Sequence, residues 1–397
     1  MNAFISLMGS KLCARANYVT VNECAQMEHT ESKPVKITRG KGRGSNFFVL
    51  GHLAWEKLWQ IECRNRMNLI TAYLVLLAGT GSDHRLTKWS AKACEDHAGM
   101  GKPRAKLAIS ELIEAGLVER TAESTRLSPQ YVLPHVPDEE KPIFLPVQLI
   151  TGLATETSIL RRVRETGDVQ MLRMLIELYG LVDIDVSYGI PLGSLRQIVS
   201  GGSAAQKISE VGTHVLWALS IGSTMQAAGE WTAKYRIKTS NPEEAWEPFW
   251  NSIKTLQKIG ALVFEPWVCN SDEEDAEPLF PVDPGTLYSS AYQGDSETEL
   301  TRLISETAYR LAEDREYILE RYPHDIILPL PLHYRAPAIQ GVAKLRVEAD
   351  TPGRRMAFAM RKSRVGQYLK AYERLRDEIM GGRLDTPLRI SANREAV

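Results

Sequence analysis

Cationic side chains pose the first chemical question about this chain of 397 residues. Lys102, Arg104 and Lys106 open a stretch of helical periodicity, and Ser110 lies one turn further on. Arg39, Lys41 and Arg43 alternate with glycines, and Arg354, Arg355, Arg361, Lys362 and Arg364 make a third cluster. Guanidinium and ammonium groups in such clusters suit phosphates and other anions rather than bond-breaking chemistry.

The residue types that catalysis uses are present, but not in working spacing. The eight histidines (His29, His52, His84, His97, His135, His214, His324, His333) form no HExxH or other ligand pattern. The five cysteines (Cys13, Cys24, Cys63, Cys94, Cys269) include no CxxC pair. That argues against a zinc knuckle or a disulfide framework and fits a reduced, cytoplasmic setting. Arg39–Ser45 is glycine-rich but has neither the spacing nor the flanking strand of a phosphate loop. Asp83-His84 and Asp96-His97 read as loop and cap residues. Asp183 and Asp185 alternate on a strand-like run, and paired carboxylates can hold Mg²⁺ in nucleases. With no Glu-x-Lys companion nearby they read as a solvated strand face. The expectation is a binding protein, not an enzyme, with no cofactor and no metal.

Charge is divided along the chain. The net formal charge is −1, yet residues 1–137 hold 18 Lys/Arg against 12 Asp/Glu and residues 333–397 hold 14 against 7. The middle, 138–332, has 16 against 30. Two basic ends around an acidic centre point to a phosphate-bearing partner at the ends and a different task between them. The composition, 44% hydrophobic and 24% charged, is globular, and the length leaves room for two or three domains. No apolar run approaches the ~20 residues of a membrane span, and Phe4–Met8 is too short for a signal-peptide core. No membrane partner is expected.

The elements that must position these residues can be marked out. Residues 1–45 read as a flexible basic arm. A helix is expected over Asn68–Gly79 and a short one over Ala91–His97, ended by Gly99-Met100-Gly101. The next helix starts at Pro103 and buries Ala105, Ala108, Ile109, Leu112 and Ile113, leaving Lys102, Arg104, Lys106, Leu107 and Ser110 outward. Gly116 stops it, and strands at Leu117–Glu119 and Gln130–Leu133 flank the polar turn Thr121–Ser128. Pro134–Pro146 reads as a linker and Ser271–Pro278 as an acidic loop. Further helices are expected near Asp168–Tyr179, Glu297–Tyr322 and Ser363–Ile379, and strands at Val342–Glu348 and in the alternating run RMAFAM from Arg355. The blocks are 46–137, 147–268 and 285–397.

Leu112-x-x-x-Gly116-Leu117-Val118, with Ala108 and Ile109 one turn earlier, resembles the winged helix-turn-helix of bacterial regulators, especially the gluconate-repressor type. The resemblance covers about 65 residues, 68 to 133. It implies a recognition helix whose Lys102, Arg104, Lys106 and Ser110 face the major groove of duplex DNA, with Arg126 on the wing near a phosphate. Lys88 and Lys92, around the start of the preceding helix, are counted with them. The small residue of that preceding helix lies out of register before Gly99, so the turn is a residue longer than the family pattern.

Ile253, Leu256 and Gly260-Ala261-Leu262-Val263 repeat the register of Ile109, Leu112 and Gly116-Leu117-Val118. Asn241 reads as the N-cap of that second helix and Pro242 as its first residue, so a second winged-helix-like domain is expected. Its start carries Glu243, Glu244 and Glu247 where the first copy has cations, with Trp246, Phe249 and Trp250 beside them as core or as an interface. The fold expected is α+β, mainly helical, with tandem winged-helix-like domains and a C-terminal helical and strand segment. The function expected is sequence-specific double-stranded DNA binding, as a transcription regulator or, resembling plasmid replication initiators in outline, as the initiator of a mobile element. The rival reading is a winged-helix scaffold in a larger DNA-associated complex. Residues 147–268 would hold a second copy or a partner protein.

Overall fold

Why chain order becomes structure is plainest at Leu69–Ala78, where ten residues in succession are buried. A helix apolar all round can only sit at the centre of a core. The computed structural model describes residues 46–154, 156–182, 189–200, 205–220, 222, 224–227, 230–241, 244–282, 296–312, 314–323, 325–332, 334–382 and 389–390. Arg39, Lys41 and Arg43 of the basic arm, Asp183, Asp185, Pro242, Glu243, His324 and His333 lie outside these.

The first elements among the described residues are β1 (Phe47–Leu50), α1 (His52–Gln60) and α2 (Arg66–Ala78), whose N-cap Asn65 accepts from the amide of Asn68 at 2.9 Å. Next come β2 (Leu86–Thr87), α3 (Ala91–Ala98), α4 (Lys102–Glu114), β3 (Glu119–Arg120) and β4 (Tyr131–Val132). The three short strands form one antiparallel sheet in the order β2-β4-β3, with Arg120 opposite Tyr131 and Thr87 opposite the same residue. The helices and the hairpin were legible in the sequence, whereas β2 was not: two residues are too few to show a period.

The Pro134–Pro146 stretch is not only a linker. Its end forms β5 (Ile143–Pro146), antiparallel to β1 with Leu50 opposite Ile143. Ile143 and Leu145 point inward, and in a two-stranded ribbon the missing amide of Pro146 interrupts no interior ladder. There follow α5 (Gln148–Thr151), α6 (Ile159–Thr166) and α7 (Val169–Leu181), the last capped by Asp168, which accepts from Gln170 and Met171 at 2.9 and 3.1 Å.

From β6 (Leu195–Ser200) the chain builds two antiparallel sheets, with β7 (Ala205–Val211), β8 (His214–Leu219), β9 (Thr224–Ala227), α8 (Glu230–Ala233), α9 (Glu247–Lys258), β10 (Leu262–Cys269) and β11 (Pro278–Pro281). It closes with α10 (Ser296–Leu311), α11 (Arg315–Arg321), β12 (Ile326–Pro331), β13 (Ala338–Leu345), α12 (Pro352–Met380) and β14 (Arg389–Ile390). The sheet orders are β11-β10-β13-β6-β9 and β12-β8-β7-β14. Pro329 and Pro331 are tolerated because β12 is an edge strand. The fold is mixed α+β.

Two expected elements are corrected. The helix over Glu297–Tyr322 is two helices, because the Asp314 carboxylate accepts from the Tyr317 amide at 2.8 Å and starts a new one. RMAFAM is helix, not strand. Thr351 caps the Arg354 amide at 3.2 Å, Pro352 sets the first turn, and the helix then buries Ala357, Val365, Tyr372 and Leu375 at helical spacing. Met356, Phe358 and Met360 are consequently exposed.

Gly44–Val397 is one compact unit. A single apolar core runs from Phe48 through α2, α4, α6, α7 and α9 to Val347, so the blocks 46–137 and 147–268 share one interior. A second cluster packs α10 and α12 on β8 and β12.

The expected repeat is matched only in how the two helices end, on a left-handed glycine. After α4, Gly116 has φ +66° and the Leu117 amide donates to Leu112 O at 3.0 Å; after α9, Gly260 has φ +69° and the Ala261 amide donates to Leu256 O at 2.8 Å. Beyond that the copies diverge: β10 continues for eight residues in the middle of a sheet, and α9 begins at Glu247, not at residue 242. Gly116→Ala is expected to cost about 1–2 kcal/mol, the strain of a Cβ in left-handed backbone. Gly101→Ala, at φ −56° with open space around its Cβ, meets no such strain and is expected to cost less, only the N-cap preference of Gly over Ala. Urea denaturation of both variants checks the contrast.

Candidate nucleic-acid interface

The turn between α3 and α4 fixes everything on the exposed face of α4. Gly99 ends α3 at φ +65°, its amide donating to Glu95 O and that of Met100 to Cys94 O. A side chain at 99 is disfavoured by that φ, whereas the nearest atoms a Cβ would meet belong to the end of the flexible Arg161 side chain. Met100 is fully buried and anchors the turn. From behind, α6 supplies the partners that the end of α3 lacks. Arg164 donates to Ala98 O at 2.6 Å and to Gly99 O at 3.0 Å, and Ser158 Oγ donates to His97 O at 3.0 Å. Burial lowers the Arg164 pKa below the ordinary arginine value; Glu165 opposes this, while Arg161 and Arg104 reinforce it.

The α4 helix buries Ala105, Ala108, Ile109 and Leu112, as its periodicity required, while Ile113 is half-buried. Its first turn has no acidic residue and no side-chain cap, and Pro103 has no amide to satisfy. The amides of Lys102 and Arg104 thus face outward at the positive end of a helix dipole. Lys102, Arg104 and Lys106 are exposed and Ser110 is half-buried.

Opposite this face stands the β3–β4 hairpin. Between them lies a groove of about 740 Å³, lined by Lys92, Lys102, Lys106, Ser110, Arg120 and Arg126 among others. Leu127, at the tip of the hairpin, is 98% exposed. The arrangement brings four of the expected cations together and adds Arg120, which the sequence reading missed. Its signal was faint: a charged residue ending a two-residue strand, facing Tyr131 across the hairpin.

The cations of the groove are not equally available. Lys92 pairs with Glu95 and Asp96 on its own helix, which raises its pKa, and Lys102 lies 3.5 Å from Glu95. Among the described residues Arg104, Lys106, Arg120 and Arg126 form no ion pair. Lys88, just before α3, is exposed and does not line the groove.

The C-terminal cluster is placed elsewhere, on α12, and is mostly committed within the chain. Arg354 pairs with Glu348 at 2.9 Å, Arg355 grips Asp350 through two bonds of 2.9 Å, and Arg364 donates to Pro278 O at 2.6 Å. Arg361 is held by Glu297 at 2.8 and 2.6 Å and by Glu265. Lys362 is exposed. In α9, Glu247 starts the helix while Phe249 is fully buried, packed edge-on against Trp250 at 4.8 Å and Trp246 at 6.3 Å. Phe249 is core, and Trp246 and Trp250 are half-buried against it.

Asp83 accepts from the Leu86 amide at 3.3 Å, a loop-capping role. Cys63, Cys94 and Cys269 are free thiols. Among the described residues no group of acidic, His or Cys side chains could hold a metal ion, and no helix is long and apolar enough to cross a membrane. No family model, curated protein or solved structure matches the chain. An uncapped helix start and cations without ion-pair partners on two sides of one groove are features that suit an anion.

Replacing Arg164 by Met, which keeps the stem and removes the donors, is expected to cost about 1.5–3 kcal/mol, the range for hydrogen bonds from a charged group. Hydrogen exchange should quicken at residues 98–106 and stay unchanged within α7. Equal acceleration in both would mean that α6 does not brace the turn specifically.

Proposed function

We propose that residues 66–132 are a winged helix-turn-helix that binds duplex DNA by sequence, with α4 as the recognition helix and the β3–β4 hairpin as the wing. The order helix, strand, helix, helix, strand, strand and the sheet order β2-β4-β3 support that reading. The observation that carries the function is the groove flanked by Lys102 and Lys106 on one side and by Arg120 and Arg126 on the other. A major groove about 12 Å wide admits an α-helix. Arg104 and Lys106 then reach base edges, while Lys102 and the free amides of the first turn hold a phosphate. Arg120 and Arg126 hold the phosphates beside the groove.

On this reading Lys92, tied to two carboxylates, and the paired arginines of α12 are weak phosphate contacts. The α9 helix, which begins with Glu247 and turns its aromatic residues inward, is assigned no DNA. The protein acts as a transcription regulator or as the replication initiator of a mobile element. A scaffold that touches DNA without reading it differs in one measurable respect, the ratio of specific to non-specific affinity.

Arg104→Ala and Lys106→Ala should each weaken binding to the selected site by about 1–3 kcal/mol and affect random duplex much less. The site is first obtained by selection from a random duplex library. Equal losses on both duplexes, or no enriched sequence, would sink the reading. Arg126→Ala is expected to weaken both alike and to lower the slope of log K against log salt by about one.

A further inference from the structure

The exposed side of α4 carries one side chain that neither packing nor phosphate binding accounts for. Leu107 is 41% exposed, the only large apolar residue of this helix left outside, and it joins none of the apolar clusters. The residues that α4 buries, Ala105, Ala108, Ile109 and Leu112, lie on its other side. At about 100° per residue, Lys106, Ser110, Leu107 and Arg104 follow one another in that order around the exposed side. Leu107 thus stands near the middle of a surface whose edges are cationic. Further along the helix that side turns acidic: Glu114 is exposed, and Glu111 accepts from the Arg64 amide at 3.4 Å. Carboxylates there repel phosphate, so the half of α4 that can approach a duplex is the half that holds Leu107.

A base-reading surface restricts what a leucine can meet. In the major groove guanine shows acceptors, cytosine a donor and adenine one of each, while thymine adds an apolar group, its C5 methyl. A leucine laid on the polar edges strips them of water and returns no hydrogen bond. Laid on a thymine methyl, it removes apolar surface of both partners from water. Lys106 and Arg104, on either side, bring donors for the neighbouring bases.

Resting on the proposal that α4 reads duplex DNA, we infer that Leu107 is a specificity-determining residue that selects a thymine by its 5-methyl group, between the bases contacted by Lys106 and Arg104.

The duplex for the test is the site enriched from the random library, with its thymines replaced one at a time by deoxyuridine. Each exchange removes one methyl group and leaves base pairing intact. Affinity of the full chain is read by fluorescence anisotropy at one fixed salt concentration. At one or more positions the exchange is expected to weaken binding about fourfold, the worth of one buried methyl group. Leu107→Ala should weaken the thymine duplex by a similar factor and lower the preference for thymine over uracil at that position to below about twofold. Leu107→Met, which keeps an apolar side chain of similar volume, should retain the preference. Leu107 is exposed, so neither variant should disturb the fold, which far-ultraviolet circular dichroism verifies. A library with no enriched sequence would remove the DNA reading and this assignment together. An enriched site bound equally well with thymine or uracil at every position, or a preference undiminished by Leu107→Ala, would overturn the assignment and leave the reading of α4 standing.

Discussion

Arg164 on α6 satisfies the last carbonyls of α3, and that contact decides where the cations of α4 point. An α-helix leaves its final carbonyls without partners, and the glycine turn at Gly99 takes back only some of them. Ser158 and Arg164 take His97, Ala98 and Gly99, more than fifty residues away in sequence. Losing the bonds of Arg164 is expected to cost about 1.5–3 kcal/mol, a large share of what a turn of this size can hold by itself. Since α4 leaves the same turn two residues later, its axis is referred to α6. The proposed reading head and the helices behind it are therefore one mechanical unit, in keeping with the single core that runs through both.

Positive charge in this protein divides by how it is compensated. On α12, Arg354, Arg355 and Arg361 meet Glu348, Asp350, and Glu265 with Glu297, so these residues tie the helix to the body. In the α4 groove Lys106, Arg120 and Arg126 stand without such partners, as does Arg104 on the exposed start of α4 outside the groove lining, and they keep their field for a ligand. A count of Lys and Arg weights the two clusters equally, but only unpaired charge attracts a polyanion at full strength.

Likeness between α4 and α9 follows the same rule of local agreement and global difference. Both helices end on a left-handed glycine, with the next amide returning to the carbonyl five residues earlier. That motif is local, so its sequence imprint survives in both places. What each helix then faces differs: α4 presents cations to open space, whereas α9 covers a sheet with Phe249.

The sequence by itself determined the elements that local forces control. The apolar period of α4, the stops at Gly99 and Gly116 and the cap at Asp168 are each written within a few residues. The hairpin followed from two short apolar runs around a polar turn, and with it the position of Arg126. Tertiary structure alone decided the rest. The β5 strand exists because β1 is there to pair with it, and RMAFAM is helix because Thr351 and the buried Val365 and Tyr372 outweigh a six-residue alternation. Arg120 joined the groove, and the arginines of α12 became internal ties, because of partners that lie far off in sequence. Periodicity and caps act over one or two turns, whereas burial and charge compensation depend on which distant segments meet.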